Sequence, residues 1–271
     1  MTALFSSVMM MTMIATAPDA RTVEFTAHRG ESADAPENTL AAFNLAWSRG
    51  VKSAELDVYL SKDGKLVVCH DATTKRTTGV DKKIADSTWD ELRDLDAGKW
   101  KSEEWAGERL PLLGEMLATI PEGSRCFIEV KTGPEIMPAL VEAIRECGKK
   151  PEQLVIISFN AQTVAEAKRQ LPELKAYFLS GFKENKETKE ITPTVDELIA
   201  KAKELRADGL DLSHTGPIDA DFVRKVKDAG LELYVWTVND VDKARRMIEA
   251  GVDGITTDKA QWLEQQLKAD Q

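Results

Sequence analysis

From residue 23 onward the chain alternates short apolar runs with amphipathic stretches, and its later half repeats one phrase: a helix, then Ala-Gly or Asp-Gly, then a strand. The apolar runs at 23–27, 53–58, 125–131, 154–158, 175–179, 209–212, 232–238 and 254–257 read as strands. Helical periodicity follows at 39–49, 113–120, 137–147, 161–170, 195–205, 220–229, 241–250 and 260–268, with Asn38 as the N-cap expected for the first of these helices. Strands alternating with helices demand parallel pairing, and eight such units close into a (β/α)8 barrel of the α/β class. The competing arrangement, an open doubly wound sheet, would want a glycine-rich phosphate loop after a strand, and none occurs.

One stretch does not fit the phrase. Within residues 54–71 the run Glu55-Leu56-Asp57-Val58 is followed by the turn signal Ser61-Lys62-Asp63-Gly64 and then by Val67-Val68-Cys69-His70-Asp71. Alternation on a strand sends Glu55 and Asp57 to one face, and the hairpin returns His70 beside them. A second pair, Glu129 and Lys131, shares a face in the same way, and His28 with Arg29 ends the first strand. Each residue alone is an ordinary polar side chain. Together they place three carboxylates, two imidazoles and two cations at neighbouring strand ends, where barrels carry their chemistry.

Glu55, Asp57 and Glu129, without cysteine or a His-x-His pair, suit a hard cation, Mg²⁺ or Ca²⁺, better than zinc. Arg29 and Lys131 suit the oxygens of a phosphate. His28 and His70 can exchange protons near neutral pH as the catalytic acid and base. The set specifies metal-assisted cleavage of a phosphate ester.

Composition narrows the partners. The 271 residues carry a net charge of −10, with 30% charged and 42% apolar residues, so no basic stripe exists to neutralise a nucleic acid. The three cysteines, Cys69, Cys126 and Cys147, form neither a disulfide framework nor a zinc motif. An apolar run at 3–17 ending in Ala15-Thr16-Ala17 resembles an export signal that lacks its basic start, so residues 1–20 are expected to be a signal peptide or N-terminal extension, and 21–271 one barrel domain. On that reading the protein is exported, periplasmic or extracellular, with a cytoplasmic location as the alternative. No later run is long enough for membrane insertion. Oligomeric state leaves no signal.

The ordered series His28-Arg29-Gly30, Pro36-Glu37-Asn38-Thr39, Glu55-Leu56-Asp57-Val58, Lys62-Asp63-Gly64, Val67-Val68-Cys69-His70-Asp71, Glu129-Val130-Lys131 and Val235-Trp236-Thr237-Val238-Asn239 resembles the successive motifs of the glycerophosphodiester phosphodiesterases. The resemblance runs from about residue 27 to 258. It implies a phospholipase-C-like phosphodiesterase barrel and hydrolysis of glycerophosphodiesters to an alcohol and glycerol 3-phosphate with one divalent cation. It also implies that His28 and His70 are the acid–base pair, that Glu55, Asp57 and Glu129 are the metal ligands, and that Arg29 and Lys131 contact phosphate. The nucleophile is water or the substrate's neighbouring hydroxyl. Where the family often has proline after the last Thr-Asp, this chain has Lys259-Ala260, next to Asp258 and outside the catalytic set as the sequence defines it.

Glu37 is placed to orient His28 or Arg29 or to cap the helix start near Asn38, and Trp236 to line the glycerol or alcohol pocket or to fill the core. His214 reads as a loop histidine and 183–190 as a solvated charged loop. The irregular segment 72–114, with a short helix at 88–95 and tryptophans at 98–105, reads as an elaborated loop that shapes alcohol selectivity. Three other functions are compatible with such a barrel. They are a phospholipase-D-like or cyclising lyase on lysolipid headgroups, a binding protein without turnover, and a Schiff-base enzyme using Lys131. The acids beside Lys131 would keep it protonated, which opposes the last.

Overall fold

A computed structural model describes residues 23–269. The apolar run at 3–17, read above as an export signal, lies outside the described residues. Eight parallel strands, β1 (Glu24–Ala27), β2 (Ser53–Leu60), β4 (Arg125–Val130), β5 (Leu154–Ser158), β6 (Lys175–Ser180), β9 (Gly209–Ser213), β10 (Glu232–Trp236) and β11 (Gly254–Thr257), follow one another round a closed barrel. Closure is direct: Phe25 pairs with Ile255 on one side of β1, and Ala27 with Ala54 on the other. The (β/α)8 barrel expected from the repeating phrase is the fold.

The helices form the outer layer. Several begin where a side chain accepts from the free backbone donors: Thr194 in a capping box with Glu197, and Asn160, Asp219 and Asp240 before their helices. Leu140, Val141 and Ile144 of helix Met137–Glu146, and Phe222, Val223 and Val226 of helix Ala220–Asp228, turn inward onto the outward residues of the strands. Burying each such side chain contributes about 1.5–3 kcal/mol.

Alternation assigns the other strand residues to the barrel interior, and they fall into layers. At the N-terminal mouth Glu24, Arg125, Tyr234, Tyr177, Glu232 and Lys175 satisfy one another, as in the bond from Arg125 Nε to Glu24 at 2.7 Å. Above them the rings of Phe127, Tyr177 and Tyr234 pack with centroids 5.1–5.9 Å apart, all buried. Gly209 and Gly254 make room for this plug, since a Cβ at 254 would lie 2.1 Å from the Tyr234 ring and one at 209 would lie 2.9 Å from that of Tyr177. The next inward residue on each strand, at the C-terminal mouth, belongs to the site.

Two departures from the sequence reading are local. After β2 the turn at Ser61 leads into β3 (Leu66–Val68), antiparallel to β2, as expected, but the stretch 183–190, read as a solvated charged loop, belongs to a ribbon of β7 (Lys183–Glu184) and β8 (Ile191–Thr192). Its turn is closed by Asn185 Oδ1, which accepts from the backbone of Glu187 and Thr188, so a local side chain supplies what charge alone would not. The first helix spans Leu40–Ser48 and its N-cap is Thr39, not Asn38, because Asn38 is used elsewhere. Among the described residues no helix is long and apolar enough to cross a membrane.

Substituting Gly254→Ala should destabilise the fold by about 1–3 kcal/mol, because the plug has no space for a methyl group. Urea unfolding reads this, and combining it with Tyr234→Leu should cost less than the two changes summed; strict additivity would show that ring and glycine do not share the space.

Candidate active site

At the C-terminal mouth β2 presents Glu55 and Asp57, and β4 presents Glu129, in register with Asp57. One oxygen from each lies within 4.8 Å of the other two. All three sit in the barrel wall, Asp57 completely buried. Such proximity is opposed by both desolvation and repulsion. Burial, then the neighbouring acids Asp57 and Glu129, raises Glu55 well above the carboxylate range, and burial together with Asp57 moves Glu129 to about 7. Asp57 is held down despite its burial, because Lys131 and Arg29 face it.

The surrounding residues answer this charge. Lys131 Nζ lies 2.7 Å from Glu129 Oε1 and 3.2 Å from Asp57 Oδ1. Arg29 has a left-handed backbone, φ 57°, which turns its N–H toward Glu55 Oε2 at 2.9 Å, while its guanidinium reaches Glu37 at 2.8 Å and Asp57 at 3.4 Å. Asn38, also left-handed, donates to Asp57 Oδ2 at 2.8 Å and accepts from the Asp57 backbone, which is why it does not cap the helix. Glu55 Oε1 and Asp57 Oδ1 nevertheless make no hydrogen bond, and Lys131 faces Asp57 Oδ1 only as an ion pair. Two buried carboxylate oxygens without a hydrogen bond, in an all-oxygen set with a third acid, fit a hard divalent cation.

His28 and His70 are each fixed by a carboxylate. His28 follows β1, and its Nδ1 lies 2.6 Å from Asp258 Oδ1; Asp258 also accepts from Ser32 and Asn239. Burial raises the Asp258 pKa, but the bond to His28 outweighs it and the group settles at about 2. An ionised Asp258 only accepts, so Nδ1 carries the proton and Nε2, 4.0 Å from Glu55 Oε2, is left for chemistry. His70, on the hairpin's return arm, repeats the arrangement: Nδ1 lies 2.7 Å from Asp71, which Arg76 holds at 2.7 Å. Asp71 also falls to about 2, its burial outweighed by Arg76 and His70. Burial keeps His70 below the ordinary imidazole value, neutral and able to take a proton.

Two hollows meet at His28, Arg29 and Thr237. The inner cavity, about 280 Å³, holds both histidines, Glu55, Glu129 and Lys131 and is walled by Ile157, Leu179 and Trp236. Trp236 ends β10 and packs edge-on against Phe159. An outer cleft of about 570 Å³ contains Glu37, Lys101, Asn239 and Asp258. All nine residues singled out from the sequence therefore surround one mouth. Glu37 orients Arg29 and binds Arg76 as well, and its hydrogen bonds go to these arginines rather than to His28. His214 is outside the cavity, its Nδ1 on the Trp236 carbonyl.

The sequence profile of the Glycerophosphoryl diester phosphodiesterase family matches residues 28–261. The chain belongs to that family. A glycerophosphodiester phosphodiesterase of Caldanaerobacter subterraneus is 38% identical over 88% of this chain and 94% of its own length, and one of Bacillus subtilis is 29% identical over 85% and 82%. Among solved structures, an Oleispira antarctica phosphodiesterase in complex with the product sn-glycerol-3-phosphate has a TM-score of 0.82 at 31% identity, covering 90% of this chain and 96% of that one. The chain is accordingly an enzyme, a phosphodiesterase of this family.

Sequence reasoning passed over Asp258, Asp71, Arg76 and Asp211. Asp258 was given no role, and the structure makes it the partner of His28. The signal was its place directly after β11, at a strand end. Asp211, flanked by outward Leu210 and Leu212, points inward from β9 by the same alternation that marked Glu55 and Asp57; burial, then Glu129, raises it well above the carboxylate range.

Asp258→Asn should lower kcat by about 100-fold or more, because an amide can present its donor to Nδ1 and reverse the tautomer of His28. Steady-state kinetics with a circular dichroism control measures this, and a kcat within twofold of the parent would remove Asp258 from the chemistry.

Proposed function

We propose that this enzyme hydrolyses glycerophosphodiesters to an alcohol and glycerol 3-phosphate, with His28 and His70 as acid and base beside a divalent cation, Mg²⁺ or Ca²⁺. The observation that carries the proposal is the pair of imidazoles, each fixed through Nδ1 by a carboxylate, lining one cavity with Glu55 and Glu129 of the acidic trio. The product named for the Oleispira antarctica enzyme supports the choice of substrate.

Glu55, Asp57 and Glu129 would hold the cation, which when bound draws off charge from the phosphate oxygens. Arg29 and Lys131 add fixed positive charge at the same place. His70, neutral at physiological pH, accepts the proton of the attacking oxygen. His28, once protonated on Nε2 and stabilised by Asp258, gives that proton to the departing alkoxide. The P–O bond to the nucleophile forms as the bond to the alcohol breaks, and the two imidazoles exchange protonation states.

Release of glycerol 3-phosphate from a panel of glycerophosphodiesters should stop in EDTA and return on adding Mg²⁺ or Ca²⁺. His28→Ala and His70→Ala should each cut kcat by about 10²–10⁴-fold with the cation still bound. Turnover at parental rates in both variants, or in EDTA, would sink the scheme.

We further propose that segment 72–114 selects the alcohol. Arg76 and Lys101 bring it to the outer cleft, Arg76 through Asp71 and Glu37 and Lys101 through a 2.7 Å bond to the Ser32 carbonyl. Lys101→Ala should alter the ranking by kcat/KM of diesters whose alcohols differ in charge, by about threefold; an unchanged ranking would free the segment of that role.

A further inference from the structure

The inner cavity contains one buried acid that the proposed chemistry does not use. Asp211 is 2% exposed, and no donor among the described residues reaches its Oδ1. It is not one of the three acids that share a cation site. Its neighbours across the sheet are Leu179 on β6 and Tyr234 on β10, and it stands one inward position above Gly209, over the tyrosine plug. The cavity walls Ile157, Leu179 and Trp236 offer it no carboxylate, amide or cation, and Glu129, whose charge it feels, is held by Lys131. Arg29 and Lys131, by contrast, are both engaged with the acidic trio.

A buried polar atom left without a partner costs about 1–3 kcal/mol. At the floor of a substrate cavity the missing partner is a ligand group, and an apolar wall on the same side limits that ligand to something compact with few polar atoms. Resting on the reading of the substrate as a glycerophosphodiester, we infer that Asp211 is a specificity residue: its carboxyl group hydrogen-bonds a hydroxyl of the glycerol moiety, while Trp236 and Leu179 cover the carbon chain. A site built round such a bond discriminates strongly against an analogue that lacks the hydroxyl, because the carboxyl is then left unpaired. The alcohol on the other side of the phosphate occupies the outer cleft and does not reach Asp211.

The test compares two diesters of the same alcohol, glycerophosphocholine and propylphosphocholine, which differ only in the hydroxyls. The wild-type enzyme should prefer the glycerol diester in kcat/KM. Asp211→Leu and Asp211→Ala should each shrink that preference by about tenfold, and Asp211→Asn, which can still donate and accept, should retain most of it. Mg²⁺ affinity, measured by titration calorimetry, should be the same in all four proteins. A preference unchanged in the Leu or Ala variant, or a loss of Mg²⁺ affinity in the Asn variant, would overturn the inference while leaving the hydrolytic reading intact. A wild-type enzyme that cleaves neither diester, nor any other glycerophosphodiester, would overturn that reading and the inference with it.

Discussion

Three carboxylates gathered inside a barrel wall are the constraint to which the rest of the C-terminal mouth answers. Glu55, Asp57 and Glu129 lie within 4.8 Å of one another in a place where water is scarce, so each additional charge there raises the cost of the others. Lys131 and the left-handed turn at Arg29 bring cations and a backbone donor, and Asn38 gives up the helix cap to bind Asp57. Even so, Glu55 Oε1 and Asp57 Oδ1 remain without a hydrogen bond. The barrel supplies the rigidity that makes this tolerable, since both strands are paired on each side and cannot spread.

The histidines show a second use of carboxylates. Asp258 and Asp71 are ionised because they are bonded to imidazoles and to donors behind them, whereas Glu55 and Asp211 are pushed the other way by burial. The same kind of side chain thus stands in an acidic cluster, anchors an imidazole or lies as a buried polar group according to its surroundings. Position on the strand decides which: within the wall for the first, just past its end for the second.

Much of this was legible in the chain. The period of two that put Glu55 and Asp57 on one face, and the turn at Ser61–Gly64 that returned His70, rest on local rules that burial does not override. The eight-fold phrase gave the barrel for the same reason. What stayed hidden depends on pairs remote in sequence: Asp258 lies 230 positions from His28, and Arg76 lies 39 from Glu37. Asn38 and Thr39 are both good caps, and only Asp57, brought alongside by β2, decides between them. Asp211 was within reach of the alternation argument, but a single acid in an apolar strand lacks the neighbour two positions away that drew notice to Glu55.

The aromatic plug has a meaning beyond packing. With Phe127, Tyr177 and Tyr234 filling the interior and the charged residues of the opposite mouth paired among themselves, the barrel is a cul-de-sac rather than a conduit. The acidic trio is hydrated from one side only. Every ion, proton and reaction product exchanged with bulk solvent must pass the same opening beside His28 and Trp236, so traffic through that doorway, and not through the protein, connects the chemistry to its surroundings.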